Sequence, residues 1–249
     1  MVVVLLAAFP LGAAIAKQVG SPRDPTVVAS AEPPAAPSST ATGPATGPAA
    51  PTTTAAPTTT TTTPGPPKVA AVGDSLVEFQ EDVAPTLTQA ITARGWEPAV
   101  HGVGGSSTFE IRSFYSNEIA DADAVLFVAG ANDVVWVEDQ PDLPAAVAAL
   151  RSQFEAAMVD MADVGCVVWP TVIETPNFYW AGPDPGARAV NGLIRSVAAA
   201  NPNVVVVDWA AASAGHPEWF IPDLLHHSPQ GEAEFRRLLL DAAADCLAP

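Results

Sequence analysis

Beyond residue 67 the chain alternates short, unbroken apolar runs with longer stretches in which apolar residues recur every three or four positions. The short runs at 69–72, 99–103, 124–129, 166–172 and 204–208 are brief and mostly rich in valine, so they read as buried strands rather than helices. The longer stretches at 83–94, 143–163, 187–200 and 231–246 read as helices, with a shorter one over 109–118. Alternation of this kind predicts repeated β-α units and a parallel sheet. Five strands with covering helices make a three-layer α/β/α domain. Right-handed crossovers then bring the carboxyl end of every strand to one edge, where ligands bind in open α/β sheets.

Composition removes the first part of the chain from this fold. Residues 1–16 are almost wholly apolar and end in Ala14-Ile15-Ala16, a small-x-small pattern that predicts a cleaved export signal. No Lys or Arg precedes the run, which leaves an uncleaved N-terminal anchor as the other reading. Residues 17–67 are dominated by Pro, Thr, Ala and Ser and cannot bury a core, so they predict an extended, disordered linker. Such a leader and stalk imply a secreted or extracytoplasmic protein, with association with the cell envelope as an option. Residues 68–249 remain as one domain.

The four charges of residues 1–67, Lys17, Arg23, Asp24 and Glu32, cancel, so the formal charge of −17 belongs to the domain. An acidic surface of this size disfavours nucleic acid and anionic membranes as partners. With only two cysteines, Cys166 and Cys246, no zinc or iron–sulfur spacing exists.

Four short motifs fall at the predicted catalytic edge. Gly73-Asp74-Ser75-Leu76 follows the first strand, and Gly102-Val103-Gly104-Gly105 follows the second. Gly130-Ala131-Asn132-Asp133 follows the third, and Asp223-Leu224-Leu225-His226 precedes the last helix. Each alone is an ordinary turn or cap. A carboxylate three residues before a histidine can, however, accept the imidazole Nδ1–H and aim Nε2 at a serine.

Together, in this order, the motifs resemble the SGNH hydrolases, also called the GDSL-type esterase/lipase superfamily. The resemblance covers residues 68–249 and implies a flavodoxin-like α/β/α fold with a five-stranded parallel sheet. It implies Ser75 as nucleophile, His226 as general base and then acid, and Asp223 as its orienting partner. It further implies an oxyanion hole formed by the Ser75 N–H, the Gly105 N–H and the Asn132 side-chain amide, with no metal or organic cofactor. Two positions depart from the family pattern: His101 stands where many members carry asparagine, and Leu224 where glycine is frequent. His227 is expected to point away from the serine.

Aromatic residues crowd the predicted loops at this edge, and Trp136, Trp180 and Trp219 are the expected substrate-binding rings. Glu78, Glu81, Asp82, Glu138, Asp139 and Asp184 predict an acidic rim that disfavours anionic substrates. The resulting expectation is a monomeric, exported serine esterase acting on O-acyl groups, most simply O-acetyl, of carbohydrates or other small molecules. The alternatives are a catalytically idle glycan-binding module and an O-acyltransferase using the same residues. Finally, Cys166 opens the fourth strand and Cys246 ends the last, antiparallel helix. Both should reach the edge opposite Ser75 and form a disulfide.

Overall fold

The computed structural model describes residues 65–179 and 185–248. Strands β1 (Lys68–Gly73), β2 (Glu97–Gly102), β3 (Ala124–Val128), β4 (Cys166–Pro170) and β5 (Val204–Val207) form one sheet in the order β2-β1-β3-β4-β5. Every neighbouring pair is parallel. From Val69 onward β1 is buried at every residue, as are β3 and β4, which is why these strands carry continuous rather than alternating apolar runs. β2 and β5 are edge strands and only partly buried. Pro98 sits in β2 because an edge strand leaves one side of its backbone unpaired.

Eight α-helices accompany the sheet among the described residues: α1 (Ser75–Glu78), α2 (Leu87–Ala93), α3 (Thr108–Phe114), α4 (Ala131–Glu138), α5 (Leu143–Asp160), α6 (Pro185–Ala199), α7 (Trp209–Ala212) and α8 (Pro229–Leu247). α2 and α8 share a face, where Arg94 after α2 donates to Leu240 O at 2.9 Å and pairs with Asp241 at 2.6 Å. α3, α5 and α6 cover the other. Arg112 of α3 pairs with Asp160 at the end of α5 at 2.7 Å, and α5 packs on α6. The crossover from β1 to β2 runs one way along the sheet and those from β3 to β5 the other, so right-handed connections must place their helices on opposite faces. Between the layers Trp169 receives Phe127 and Phe154 edge-on at 5.1 and 4.8 Å, and its Nε1–H donates to Ala129 O at 3.0 Å.

Several element boundaries differ from the sequence expectation for local reasons. The helix expected over 83–94 begins at Leu87, because Thr86 and Gln89 form a reciprocal capping box after Pro85. The strand expected over 166–172 ends at Pro170. The Asn191 side chain then takes over the backbone of Val172, accepting from its N–H and donating to its carbonyl, both at 2.8 Å. α4 was not expected at all, since Val134-Val135-Trp136-Val137 has a strand-like composition.

At the amino edge Cys166, the first residue of β4, is joined to Cys246 in the last turn of α8 by a disulfide with a Cα–Cα distance of 6.0 Å. The Lys68 N–H donates to Asp123 at 2.7 Å, and the Lys68 ammonium donates to Ala120 O. Asn203 ties down Met161 O and Val164 O at 3.1 and 2.9 Å. No helix among the described residues is long and apolar enough to cross a membrane. The expected signal or anchor over 1–16 lies outside the described residues, as does all but the end of the 17–67 linker.

Candidate active site

With the order β2-β1-β3-β4-β5, connections leave β1 and β3 in opposite directions, and the gap between their carboxyl ends is the topological switch point. Ser75 follows β1 and Asn132 follows β3, so both stand at that gap. The turn into α1 requires Gly73, because a Cβ there would come within 2.4 Å of Val128 O and 2.6 Å of Val77 Cγ2. Asp74 caps α1 by accepting from Leu76 N–H at 2.9 Å. Ser75 is the first helical residue, so its own N–H has no partner within the helix.

The loop before α8 delivers the partners of Ser75. Leu224 adopts φ 60°, the left-handed conformation that a glycine takes freely, which accounts for the glycine frequent at this position in the resembled family. Asp223 Oδ1 accepts from the N–H groups of Leu225 and His226, both at 3.0 Å, which fixes the carboxylate. Its Oδ2 lies 2.6 Å from His226 Nδ1, and His226 Nε2 lies 2.9 Å from Ser75 Oγ. Partial burial works against ionisation of Asp223. The hydrogen bonds from His226 and the two backbone N–H groups outweigh it and hold the carboxyl below the usual range. Phe79 packs against the His226 ring at 4.8 Å, and Tyr179 meets it edge-on at 6.1 Å.

Gly105 lies in a turn closed by Ser106 N–H to Val103 O at 3.2 Å and has φ 78°. A Cβ there would meet nothing within 4 Å, so conformation rather than space calls for glycine. The Asn132 amide already donates to Asp74 Oδ2 at 3.2 Å and to Ser106 O at 3.1 Å. Behind it two carboxylates are buried. Asp133 accepts from the Thr108 hydroxyl at 2.7 Å and from its N–H at 3.1 Å, fastening the start of α3. Burial, with the charge of Asp133 adding to it, raises Asp74 to about 7, and burial raises Asp133 to about 6. The sequence places Asp74 at a turn or helix start, and one sequence holds no signal that this N-cap also accepts from an asparagine 58 residues away.

The other expected positions separate. His227 is buried among Trp209, Phe220 and Phe235, away from the serine that His226 meets. Trp136 is exposed on α4 beside Gly105 and Asn132. Trp219 instead stacks on His216 at 4.0 Å and on Trp209 at 5.6 Å, so its ring is committed to packing rather than to substrate. Trp180 and Asp184 lie outside the described residues. His101 pairs with Glu118 at 2.9 Å and packs on Phe114. Among the described residues no group of three or more His, Cys, Asp or Glu is placed to hold a metal ion.

The sequence model of the GDSL-like lipase/acylhydrolase family matches residues 71–233. Comparison with curated proteins gives no significant match. Among solved structures, the chain is similar to a lipase/acylhydrolase from Enterococcus faecalis at 21% identity and a TM-score of 0.60, covering 74% of this chain and 98% of that one. It is similar to the acetyl xylan esterase AlAXEase at 17% identity and a TM-score of 0.57, covering 70% and 98%. Axe2, an acetylxylan esterase from Geobacillus stearothermophilus, aligns at 18% identity and a TM-score of 0.55, covering 72% and 94%. At these identities the structural likeness concerns the fold.

Proposed function

The chain belongs to the GDSL-like lipase/acylhydrolase family and is on that ground an esterase, and from this premise we propose that it is an exported serine esterase removing short acyl groups from carbohydrate or other small esters. The observation that carries the reading is the chain of contacts from Ser75 Oγ to His226 Nε2 at 2.9 Å and from His226 Nδ1 to Asp223 Oδ2 at 2.6 Å. With Nδ1–H donated to Asp223, Nε2 presents a lone pair to the serine hydroxyl. Ser75 Oγ attacks the ester carbonyl as its proton passes to Nε2, and Asp223 stabilises the imidazolium that results. The oxyanion is received by the N–H groups of Ser75 and Gly105 and by the Asn132 amide, which gives up one resting partner to do so. A donor of this kind is worth ~3 kcal/mol in the transition state. His226 then protonates the departing alcohol, leaving an acyl-serine. Water then attacks the acyl carbon as its proton passes to His226, and His226 returns that proton to Ser75 Oγ as the acyl C–O bond breaks and the carboxylic acid leaves.

The short-acyl assignment is supported by the space beneath the serine turn. The cavity bounded by Asp74, Leu76 and Leu225 offers about 10 Å³, room for no more than one water, so among the described residues it holds no acyl chain. The names of two similar structures, both acetyl xylan esterases, point the same way. Export is supported by the apolar residues 1–16 and by the disulfide, a bond favoured in oxidising compartments. Hydrolysis of 4-nitrophenyl acetate tests the reading. Turnover by the wild type that disappears in Ser75→Ala is expected, and an active Ser75→Ala overturns it.

A further inference from the structure

Phe109 and Trp136 are large, apolar and exposed, at 64% and 42% of their surface. Their placement is specific. On one side they wall a depression of about 440 Å³ that also contains Gly105 and Asn132. On the other they wall a second depression of about 290 Å³ that continues to Gln153 on α5. Ser107 lines both, so the two form one groove that runs from the oxyanion donors across the rings. Its volume falls in the range that small-ligand sites occupy. Phe109 stands on α3 and Trp136 on α4, and neither belongs to the hydrophobic core.

The polar lining decides the class of ligand. Glu110 and Asp139 stand at the rim, Gln153 lies at the far end, and among the described residues no Lys or Arg lines either depression. A polyanion is repelled by this surface and finds no cation to pair with. An acyl chain would leave carboxylates and an amide desolvated without partners. An uncharged oligosaccharide fits both features, since its C–H faces lie on aromatic rings while its hydroxyls donate to carboxylates and exchange bonds with an amide. Resting on the esterase reading, we propose that Phe109 and Trp136 form a binding subsite for neutral glycan chains, holding sugar units beyond the one whose ester reacts at Ser75.

A split between large and small substrates tests this. Phe109→Ala and Trp136→Ala should each raise KM for acetylated xylo-oligosaccharides by about tenfold, as loss of an aromatic anchor does. The change in kcat/KM for 4-nitrophenyl acetate should be several-fold smaller than that for the oligosaccharide, and Trp136→Phe should recover most of the loss. Equal effects on both substrates, no effect on the oligosaccharide, or a larger effect on 4-nitrophenyl octanoate would overturn the subsite. Calorimetric titration of full-length Ser75→Ala with xylohexaose, cellohexaose, mannohexaose and trigalacturonate reads the groove without turnover. Binding of a neutral oligomer that Trp136→Ala abolishes supports the subsite even if the esterase reading fails. Binding of none, or of the galacturonate alone, refutes it while leaving that reading untouched.

Discussion

The two edges of the sheet are made by the same five strands and are built on opposite plans. At the carboxyl edge the chain is bent by Gly73, and polar side chains reach one another across elements distant in sequence. Two carboxylates are buried there at a cost to their ionisation. At the amino edge polar groups meet simple partners, and a covalent bond closes 80 residues of chain between Cys166 and Cys246. Chemistry concentrates at the first edge and constraint at the second. The separation has a physical basis, because desolvated charge costs stability that must be recovered elsewhere in the fold.

Substitutions should therefore affect activity or stability according to the edge they touch. The largest effect expected is on turnover. His226→Ala should lower kcat by roughly 10⁴-fold with little change in Tm, whereas His227→Ala should lower Tm and spare most of kcat. Steady-state kinetics on 4-nitrophenyl acetate and thermal melts of both variants check the pair, and a reversed ranking would break the comparison. Next comes the disulfide. Cys166→Ser with Cys246→Ser should destabilise by up to ~4.5 kcal/mol in the chain-entropy account, with kcat unchanged. Denaturant unfolding read beside activity separates the two, and a fall in kcat below the melting transition would show that the edges are coupled.

Asp74 sharpens the contrast, since it contributes to the site and burdens the fold. Asp74→Asn places an amide N–H₂ or a lone carbonyl where a carboxylate served both Leu76 N–H and Asn132. Misplacing Asn132 should lower kcat by about 10²-fold, the usual consequence of losing an oxyanion donor. Stability should respond in the other direction. Because burial raises Asp74 to about 7, the folded state holds a proton that the unfolded state has released, and stability is lost as pH rises from ~4 to ~7. Asp74→Asn removes that loss, so its Tm should gain on the wild type across this window. Parallel Tm curves would contradict it.

The smallest effect lies just beside the catalytic loop. His227 has neither ring nitrogen hydrogen-bonded among the described residues, and burial, aided by the charge of His226, lowers it to about 3. Its folded form resists protonation, so stability present above ~6.5 is lost as pH falls toward 3. His227→Phe, in a nest of Trp209, Phe220 and Phe235, should remove that slope and recover about 2 kcal/mol at pH 5. Chemical unfolding at pH 5 and 7.5 measures it. Glu232, raised to about 7 by burial, acts with the opposite sign and is present in both proteins.

The central strands β1, β3 and β4 were legible because buried parallel strands leave short runs without polar interruption, and the shorter apolar runs of the edge strands β2 and β5 were placed to within a few residues. The meeting of Ser75, Asp223 and His226 was legible through the family resemblance that their motifs carry, with right-handed crossovers placing those motifs at one edge. The pairing of Cys166 with Cys246 followed from their being the two cysteines of a chain read as exported, together with strand and helix direction. What escaped were features set by packing rather than by local pattern. α4 hides behind a β-branched composition, and its helical form is what turns Trp136 outward. Trp219 reads from sequence as a loop ring, but it stacks on the buried Trp209 at the start of α7 and on the neighbouring His216. The grip of Asp74 on Asn132 spans two strands and is invisible to any window of sequence.

The central claim is that one serine at the carboxyl edge is activated by one histidine. It is tested most directly by reaction with a fluorophosphonate, followed by mass spectrometry of the digested protein. The account predicts one label per chain, on Ser75, formed far more slowly in His226→Ala and at an undiminished rate in the Cys166→Ser, Cys246→Ser protein. Absence of labelling in the wild type, or a label on any residue other than Ser75, would contradict it.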